Sequence, residues 1–85
     1  MNMGQMNKLK TWRAENNLTI EEAAWRLRVS PASWHRWETD ARPVPWKRVT
    51  DVSRVTGLEA RDINAEFADY AENLGKEGTR YVKNN

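Results

Sequence analysis

The sequence predicts an all-α fold, a compact bundle of about five helices. Three observations support this prediction: apolar residues recur three or four positions apart, no segment alternates as a half-buried strand does, and two short segments carry helix-start signals. The chain has 85 residues, enough for one small domain with a single core. We expect a flexible amino terminus at residues 1–4, one domain at residues 5–74 and a flexible tail at residues 75–85.

The first predicted helix spans residues 5–16, and its apolar residues lie three positions apart on one face: Met6, Leu9 and Trp12. The second spans residues 20–27. Thr19 and Glu22 form a capping box at its start, in which each side chain can satisfy the backbone amide of the other residue.

The third predicted helix spans residues 31–38 and has the clearest start signal. The Ser30 hydroxyl can cap it, and Pro31 occupies the first helical position, where a missing amide hydrogen costs nothing. Trp34 and Trp37 share one face and are expected to anchor the helix in the core. Only about three or four residues separate the second and third helices, which is the spacing of a helix-turn-helix, a motif whose second helix can enter the DNA major groove.

Two further helices complete the predicted bundle. The fourth spans residues 45–55 and ends before Gly57. The fifth spans residues 59–74 and carries an apolar stripe on one face: Ile63, Phe67, Tyr70 and Leu74. This stripe has two interpretations, a contact between the chains of a homodimer or packing back onto the bundle, and the spacing does not separate them.

Positive charge is concentrated in the first two thirds of the chain. Residues 1–56 carry ten Lys or Arg against six Asp or Glu, whereas residues 57–85 carry four against six, so the formal net charge is only +2. This distribution fits a first part that binds a polyanion, and it also fits an ordinary solvated surface.

The sequence lacks the usual signatures of an enzyme. It has one His and no Cys, no Gly-rich phosphate loop, no recognisable carboxylate pair and no metal-ligand spacing. We therefore expect no catalytic residues, no cofactor, no metal and no small-molecule substrate. Apolar runs are too short to cross a bilayer and no signal pattern is present, so we expect a cytoplasmic protein without a membrane partner.

Several short segments together resemble one known family, the helix-turn-helix domains of the phage Cro and repressor (XRE-like) type. These segments are Thr19-Ile20-Glu21-Glu22-Ala23-Ala24, Val29-Ser30 and Trp37-Glu38, followed by Arg42 and Pro45. Residues 49–63 are similar to a Cro-like or YdaS-like branch of that family. The resemblance covers residues 9–63 and implies a lambda repressor-like DNA-binding domain.

The resemblance implies that the third helix reads bases. The residues expected there are Pro31, Ala32, Ser33, His35 and Arg36. Arg36 is the main candidate, because a guanidinium can donate two hydrogen bonds to guanine. Phosphate contacts are expected from exposed helix starts and flanking cations, namely Thr19, Arg28, Arg42 and Lys47. Each of these charged residues can equally be an ordinary solvated side chain.

The resemblance also implies an internal ion pair between Arg13 and Glu38, which ties the first helix to the third without touching DNA. Arg28 stands where glycine is frequent in the family, so we expect either a left-handed backbone at a non-glycine residue or a turn that is built differently. Asp40 likewise replaces a frequent glycine after the third helix. Trp25 stands where such helices are usually polar, and it is expected to cover the neighbouring helix or to contact a partner.

The first functional hypothesis is a transcription regulator, a Cro-like phage or prophage repressor that binds a palindromic operator on double-stranded DNA as a homodimer. One alternative is a protein-interaction module, antitoxin-like or a phage adaptor, that uses Trp25 and the last helix. Another is a phage excision or architectural factor that bends DNA.

Overall fold

The structure is a computed structural model that describes the backbone of residues 7–84 and the side chains of residues 7–74. Its helices in chain order are α1 (Lys8–Glu15), α2 (Ile20–Leu27), α3 (Pro31–Glu38), α4 (Trp46–Thr56), α5 (Ala60–Ile63) and α6 (Ala65–Asn84). The predicted all-α bundle is confirmed, with six helices in the described residues in place of about five.

Three tryptophans form the centre of the core. Trp34 is fully buried between Trp12 and Trp37, and the ring centroids lie 5.9 Å and 6.0 Å apart. Smaller apolar side chains surround them: Leu9, Ala23, Ala24, Leu27, Val44, Val49 and Val52. Because α3 contributes two of the three tryptophans, close packing of these rings sets the orientation of α3 and turns its opposite face outward.

The start signals of α2 and α3 form the predicted hydrogen bonds. The Thr19 hydroxyl accepts from the Glu22 amide at 3.0 Å, and the Glu22 carboxylate accepts from the Thr19 amide at 2.8 Å. The Ser30 hydroxyl accepts from the Ser33 amide at 3.1 Å. These bonds satisfy amides that have no partner within a helix, so local sequence determines where both helices begin.

The predicted first helix begins too early. Asn7 has non-helical torsion angles, φ −57° and ψ 134°, and caps α1 with its side chain. The helix therefore starts at Lys8, and Met6 lies outside the described residues, as does the predicted flexible terminus at residues 1–4.

The predicted single fifth helix is wrong, because Asn64 divides it. Asn64 has extended torsion angles, φ −154° and ψ 100°. Its side-chain oxygen accepts from the Phe67 amide at 3.0 Å and so caps the start of α6. Ile63 consequently belongs to a different helix from the rest of the apolar stripe.

The last helix continues to Asn84, so its predicted end at residue 74 was also wrong. Gly75 and Gly78 lie inside it. A glycine in a helix interior costs about 1 kcal/mol relative to alanine, which lowers helix stability without ending the helix. None of the helices within residues 7–84 combines the length and apolar character that a membrane span requires.

Candidate nucleic-acid interface

The turn between α2 and α3 depends on the backbone of Arg28. This residue has left-handed torsion angles, φ +58° and ψ +44°, at the position where the family resemblance implies glycine. Its amide donates to the Trp25 carbonyl at 3.0 Å, and the Val29 amide donates to the Ala24 carbonyl at 3.0 Å. These bonds satisfy carbonyls at the end of α2. The left-handed residue ends the helix there, and the chain changes direction between Arg28 and the Ser30 cap.

Replacing Arg28 by glycine is expected to raise the free energy of unfolding by about 1 kcal/mol. A side chain in the left-handed region carries a steric cost of roughly 1–2 kcal/mol, which exceeds the extra entropy that glycine loses on folding. Urea denaturation measures the change. Arg26→Gly is the matched control, since Arg26 lies within α2 and glycine there should destabilise the protein. Equal destabilisation by both substitutions would contradict the strain at Arg28.

The outer face of α3 carries all of the predicted base-contacting residues. Trp34 and Trp37 are buried on the inner face, whereas the opposite side is exposed at Pro31, Ala32, His35 and Arg36 and half-buried at Ser33. The Ser33 hydroxyl oxygen accepts a hydrogen bond from the Ser30 hydroxyl at 3.0 Å. The hydroxyl proton of Ser33 therefore remains available for an outside acceptor.

A shallow groove of about 280 Å³ brings the main base candidate next to a phosphate candidate. Its polar lining consists of Ser33, Arg36 and Arg42, and the rest is Trp37, Pro43 and Pro45. The Arg42 amide donates to the Arg36 carbonyl at 3.2 Å. Within the described side chains, neither arginine forms an ion pair. Two uncompensated guanidinium groups thus stand at one edge of α3.

Lys47 and Thr19 both lie at helix starts, in different electrostatic settings. Lys47 is exposed in the first turn of α4, where no side chain caps the helix. Thr19 is followed by Glu21 and Glu22, and its amide is already bonded to the Glu22 carboxylate. Because carboxylates repel an incoming phosphate, the start of α4 is the better anion site of the two.

A second basic groove, of about 140 Å³, lies beside the turn that precedes α3. Four arginines line it together with Leu27, Asp51 and Val55: Arg26, Arg28, Arg48 and Arg54. Asp51 pairs with Arg54 at 2.8 Å, and the other three arginines form no ion pair with a described residue. Basic residues therefore flank α3 at its start as well as at its end.

The structure brings Arg13 and Glu38 together as an ion pair between α1 and α3, in which Glu38 is buried and Arg13 is half-buried. The Arg13 guanidinium donates two hydrogen bonds to the carboxylate and a third to the Leu18 carbonyl at 2.9 Å. The Trp34 indole N–H donates to the same carboxylate. Burial raises the pKa of Glu38, but the hydrogen bonds from Arg13 and Trp34 and the nearby positive charge outweigh it, so the pKa lies below its ordinary value.

The apolar stripe of the last helix region divides into two parts. Ile63 and Phe67 are half-buried and pack against the core, whereas Tyr70 and Leu74 are 47% and 49% exposed. Trp46, which is 43% exposed, joins the two parts, because its ring centroid lies 5.8 Å from that of Phe67 and 4.9 Å from that of Tyr70.

Trp25 lies apart from the other tryptophans and is 79% exposed on α2. A shallow pocket of about 180 Å³ lies beside it, lined by Leu18, Glu22 and Arg26. The ring therefore does not cover the neighbouring helix.

Asn7 lies inside the helix predicted at residues 5–16, so its role as the cap of α1 was not predicted. The preference of asparagine for the N-cap is a signal that marks the start of α1. No local signal indicates its other contacts, which reach the Trp37 carbonyl and the Asp40 carboxylate.

Comparison with known families supports the arrangement seen in the structure. A family model described as a helix-turn-helix domain matches residues 7–65, which is more than half of the chain. Comparisons with curated proteins and with solved structures found no significant match. The matched range includes the capped pair α2 and α3, the basic residues that flank α3 and the buried pair beneath it. The chain belongs to the helix-turn-helix domain family of DNA-binding domains.

Proposed function

We propose that the protein is a sequence-specific transcription regulator, a Cro-like phage or prophage repressor that binds a palindromic operator as a homodimer. The observation that carries this proposal is the setting of α3. Buried tryptophans hold its inner face, its outer face carries side chains that are small or polar, and uncompensated cations flank both ends. A helix of this kind can enter the major groove while its neighbours contact phosphates.

In the proposed complex, Arg36 reads guanine through two hydrogen bonds to O6 and N7. Ser33 bonds to a neighbouring base edge, and Ala32 packs against a thymine methyl group. Pro31 and His35 lie at the margins of the same exposed face and are assigned to contacts at the groove edges. These roles follow from the exposed positions on α3 and from the chemistry of the base edges.

Phosphate contacts are assigned to the two basic flanks. Arg42 and Lys47 contact phosphates of one DNA strand beside the uncapped start of α4. Arg28 and its arginine neighbours contact DNA phosphates near the start of α3. Arg28 is a cation at a backbone geometry that favours glycine. A phosphate contact explains why an arginine is useful there despite its steric cost. Thr19 contributes at most its hydroxyl proton, because Glu22 occupies its amide.

A single α3 reads too few base pairs for selective binding, so the proposal includes two-fold symmetry. Half-sites about 34 Å apart, one helical turn of DNA, would place two copies of α3 in successive major grooves. Occupation of such an operator would exclude RNA polymerase.

An excision or architectural factor would bind through the same face but would bend the duplex. The gel mobility of duplexes with the binding site at different positions measures such a bend and distinguishes the two functions.

The proposed dimer contact is the exposed patch formed by Trp46, Tyr70 and Leu74. Leu74→Asp is expected to weaken self-association at least about a hundredfold, because two leucines lose their burial in a symmetric contact. Sedimentation velocity measures the shift toward monomer. Phe67 is unsuitable for this test because it packs against the core. Glu66→Gln, an exposed change on the same helix, is the control, and an unchanged dimer in the folded Leu74→Asp variant would reject the contact.

Selection of bound duplexes from a random DNA pool tests the proposed function. A palindromic enriched sequence supports both specificity and two-fold binding, whereas a pool without enrichment contradicts the proposal. Affinity for the selected duplex should fall steeply as salt rises, because each neutralised phosphate releases counterions.

A protein-interaction module remains the second candidate, and one observation favours it. Trp25 is 79% exposed and lines neither of the two basic grooves beside α3, and an exposed aromatic side chain of this size suits a partner contact. An apolar contact of this kind would depend little on salt. Trp25→Ser should leave binding to the selected duplex unchanged under the first proposal.

A further inference from the structure

The loop between α3 and α4 is held at both of its ends by asparagine side chains from distant parts of the chain. At its start, the Asn7 side-chain amide donates to the Trp37 carbonyl at 2.9 Å and to the Asp40 carboxylate at 2.8 Å. At its end, the Asn64 side-chain amide donates to the Val44 carbonyl at 2.8 Å. Between these anchors lie Ala41, Arg42 and Pro43, all exposed.

Each of these asparagines also caps a helix. The Asn7 side-chain oxygen accepts from the Leu9 amide at 2.7 Å and from the Lys10 amide at 3.4 Å, at the start of α1. The Asn64 oxygen accepts from the Phe67 amide at 3.0 Å, at the start of α6. One end of each amide group is thereby fixed to a helix that packs in the bundle, and the other end holds the loop.

The loop gains from this support because its backbone is strained at Asp40. Asp40 has φ +62°, in the left-handed region that disfavours a residue with a side chain. The Asn7 hydrogen bond to the Asp40 carboxylate stabilises this conformation. With the turn set in this way, the Arg42 amide can donate to the Arg36 carbonyl at 3.2 Å. Arg42 is then held against α3 before any ligand arrives.

We propose that Asn7 and Asn64 are positioning residues for DNA binding, which clamp the loop so that Arg42 is preorganised to contact a phosphate while Arg36 reads the adjacent base. This inference rests on the proposed function and adds the residues that support its phosphate contact. Preorganisation increases affinity by removing the entropy cost of ordering the loop on binding. Neither asparagine touches DNA in this scheme.

Serine substitutions separate the capping role from the clamping role. Serine caps a helix about as well as asparagine, but its side chain is shorter and has no amide to reach the loop. Asn7→Ser and Asn64→Ser therefore keep α1 and α6 capped and release the loop. Asn16→Ser is the matched control, because the side-chain amide of Asn16 donates to the Trp12 carbonyl of the preceding helical turn, at 2.8 Å.

The first measurement is hydrogen exchange of the Arg42 amide in the free protein, which requires no DNA. Both clamp variants should increase its exchange rate and leave the amides of α1 and α2 protected, whereas Asn16→Ser should leave it unchanged. An Arg42 amide that stays equally protected in both clamp variants overturns the clamp itself, whatever the protein binds.

The second measurement is a double-mutant cycle on a mixed-sequence DNA duplex at low salt. Arg42→Ala should lower affinity and reduce the salt slope by about 1. Each clamp variant should lower affinity by about threefold to tenfold in the original protein and have no further effect when combined with Arg42→Ala. Losses that simply add in the double variants overturn the positioning role. If Arg42→Ala binds as tightly as the original protein, the phosphate contact of the proposed function fails and this inference fails with it.

Discussion

Replacing Arg13 by alanine is expected to lower the free energy of unfolding by about 3 to 5 kcal/mol at neutral pH, the largest effect of any single substitution considered for this protein. The substitution leaves the Glu38 carboxylate, only 3% exposed, without its cationic partner. It also removes the hydrogen bond to the Leu18 carbonyl. Urea denaturation followed by far-ultraviolet circular dichroism measures the loss.

The same pair predicts a dependence on pH. The pKa of Glu38 in the folded protein lies below its ordinary value of 4.5, so the stabilisation is present above pH 4.5 and is lost as the pH falls further. In the Arg13→Ala variant the unpaired carboxylate takes up a proton more readily, because burial is no longer opposed by Arg13. The stability difference between the two proteins should therefore shrink in acid.

Arg54→Ala is the matched control for this experiment. Arg54 also pairs with a carboxylate, that of Asp51, but its side chain is 69% exposed. Water and salt screen such a pair, so a much smaller loss is expected. If Arg13→Ala were as stable as Arg54→Ala, the buried pair would not hold α1 against α3. The DNA specificity of the Arg13→Ala variant should change only under conditions in which that variant begins to unfold.

Replacing Arg36 by alanine is expected to weaken binding to the selected operator by about 1 to 3 kcal/mol per contacted half-site, while binding to mixed-sequence DNA falls much less. The reason is geometric, because Arg36 lies on the exposed face of α3 where a guanidinium can meet a base edge. Fluorescence anisotropy with both duplexes measures the two affinities at one salt concentration.

The control for Arg36→Ala is Arg61→Ala, which removes the same charge from the protein. Arg61 lies on α5 and pairs with Asp69 at 3.1 Å and with Glu72 at 3.5 Å, so it should affect both duplexes little. An equal loss on the operator and on mixed-sequence DNA would show that Arg36 contacts phosphate and does not read a base.

Local sequence signals located the helix-turn-helix with accuracy. The bounds predicted for α2 and α3, residues 20–27 and 31–38, are those of the structure. Their starts could be predicted because the capping hydrogen bonds span only three residues. The left-handed turn at Arg28 was one of the expected outcomes there.

Contacts between distant residues could not be predicted from such local signals. Asn64 resembles any polar residue of an exposed helix face until its amide is seen on the Val44 carbonyl, twenty residues away. The spacing of the apolar residues predicted that they share one face, but it could not show that Phe67 packs inward while Tyr70 and Leu74 remain exposed. Both outcomes depend on which distant element packs against the helix.

Local sequence signals are enough to predict that the chain is helical, where α2 and α3 begin and end, and which side of α3 is buried by tryptophan. These properties depend on hydrogen bonds and side-chain spacings within about one helical turn. The anchoring of the loop that carries Arg42, and the grouping of arginines around α3, are seen only in the folded protein. Those arrangements require contacts between residues far apart in the chain, and such contacts exist only when the whole core has packed.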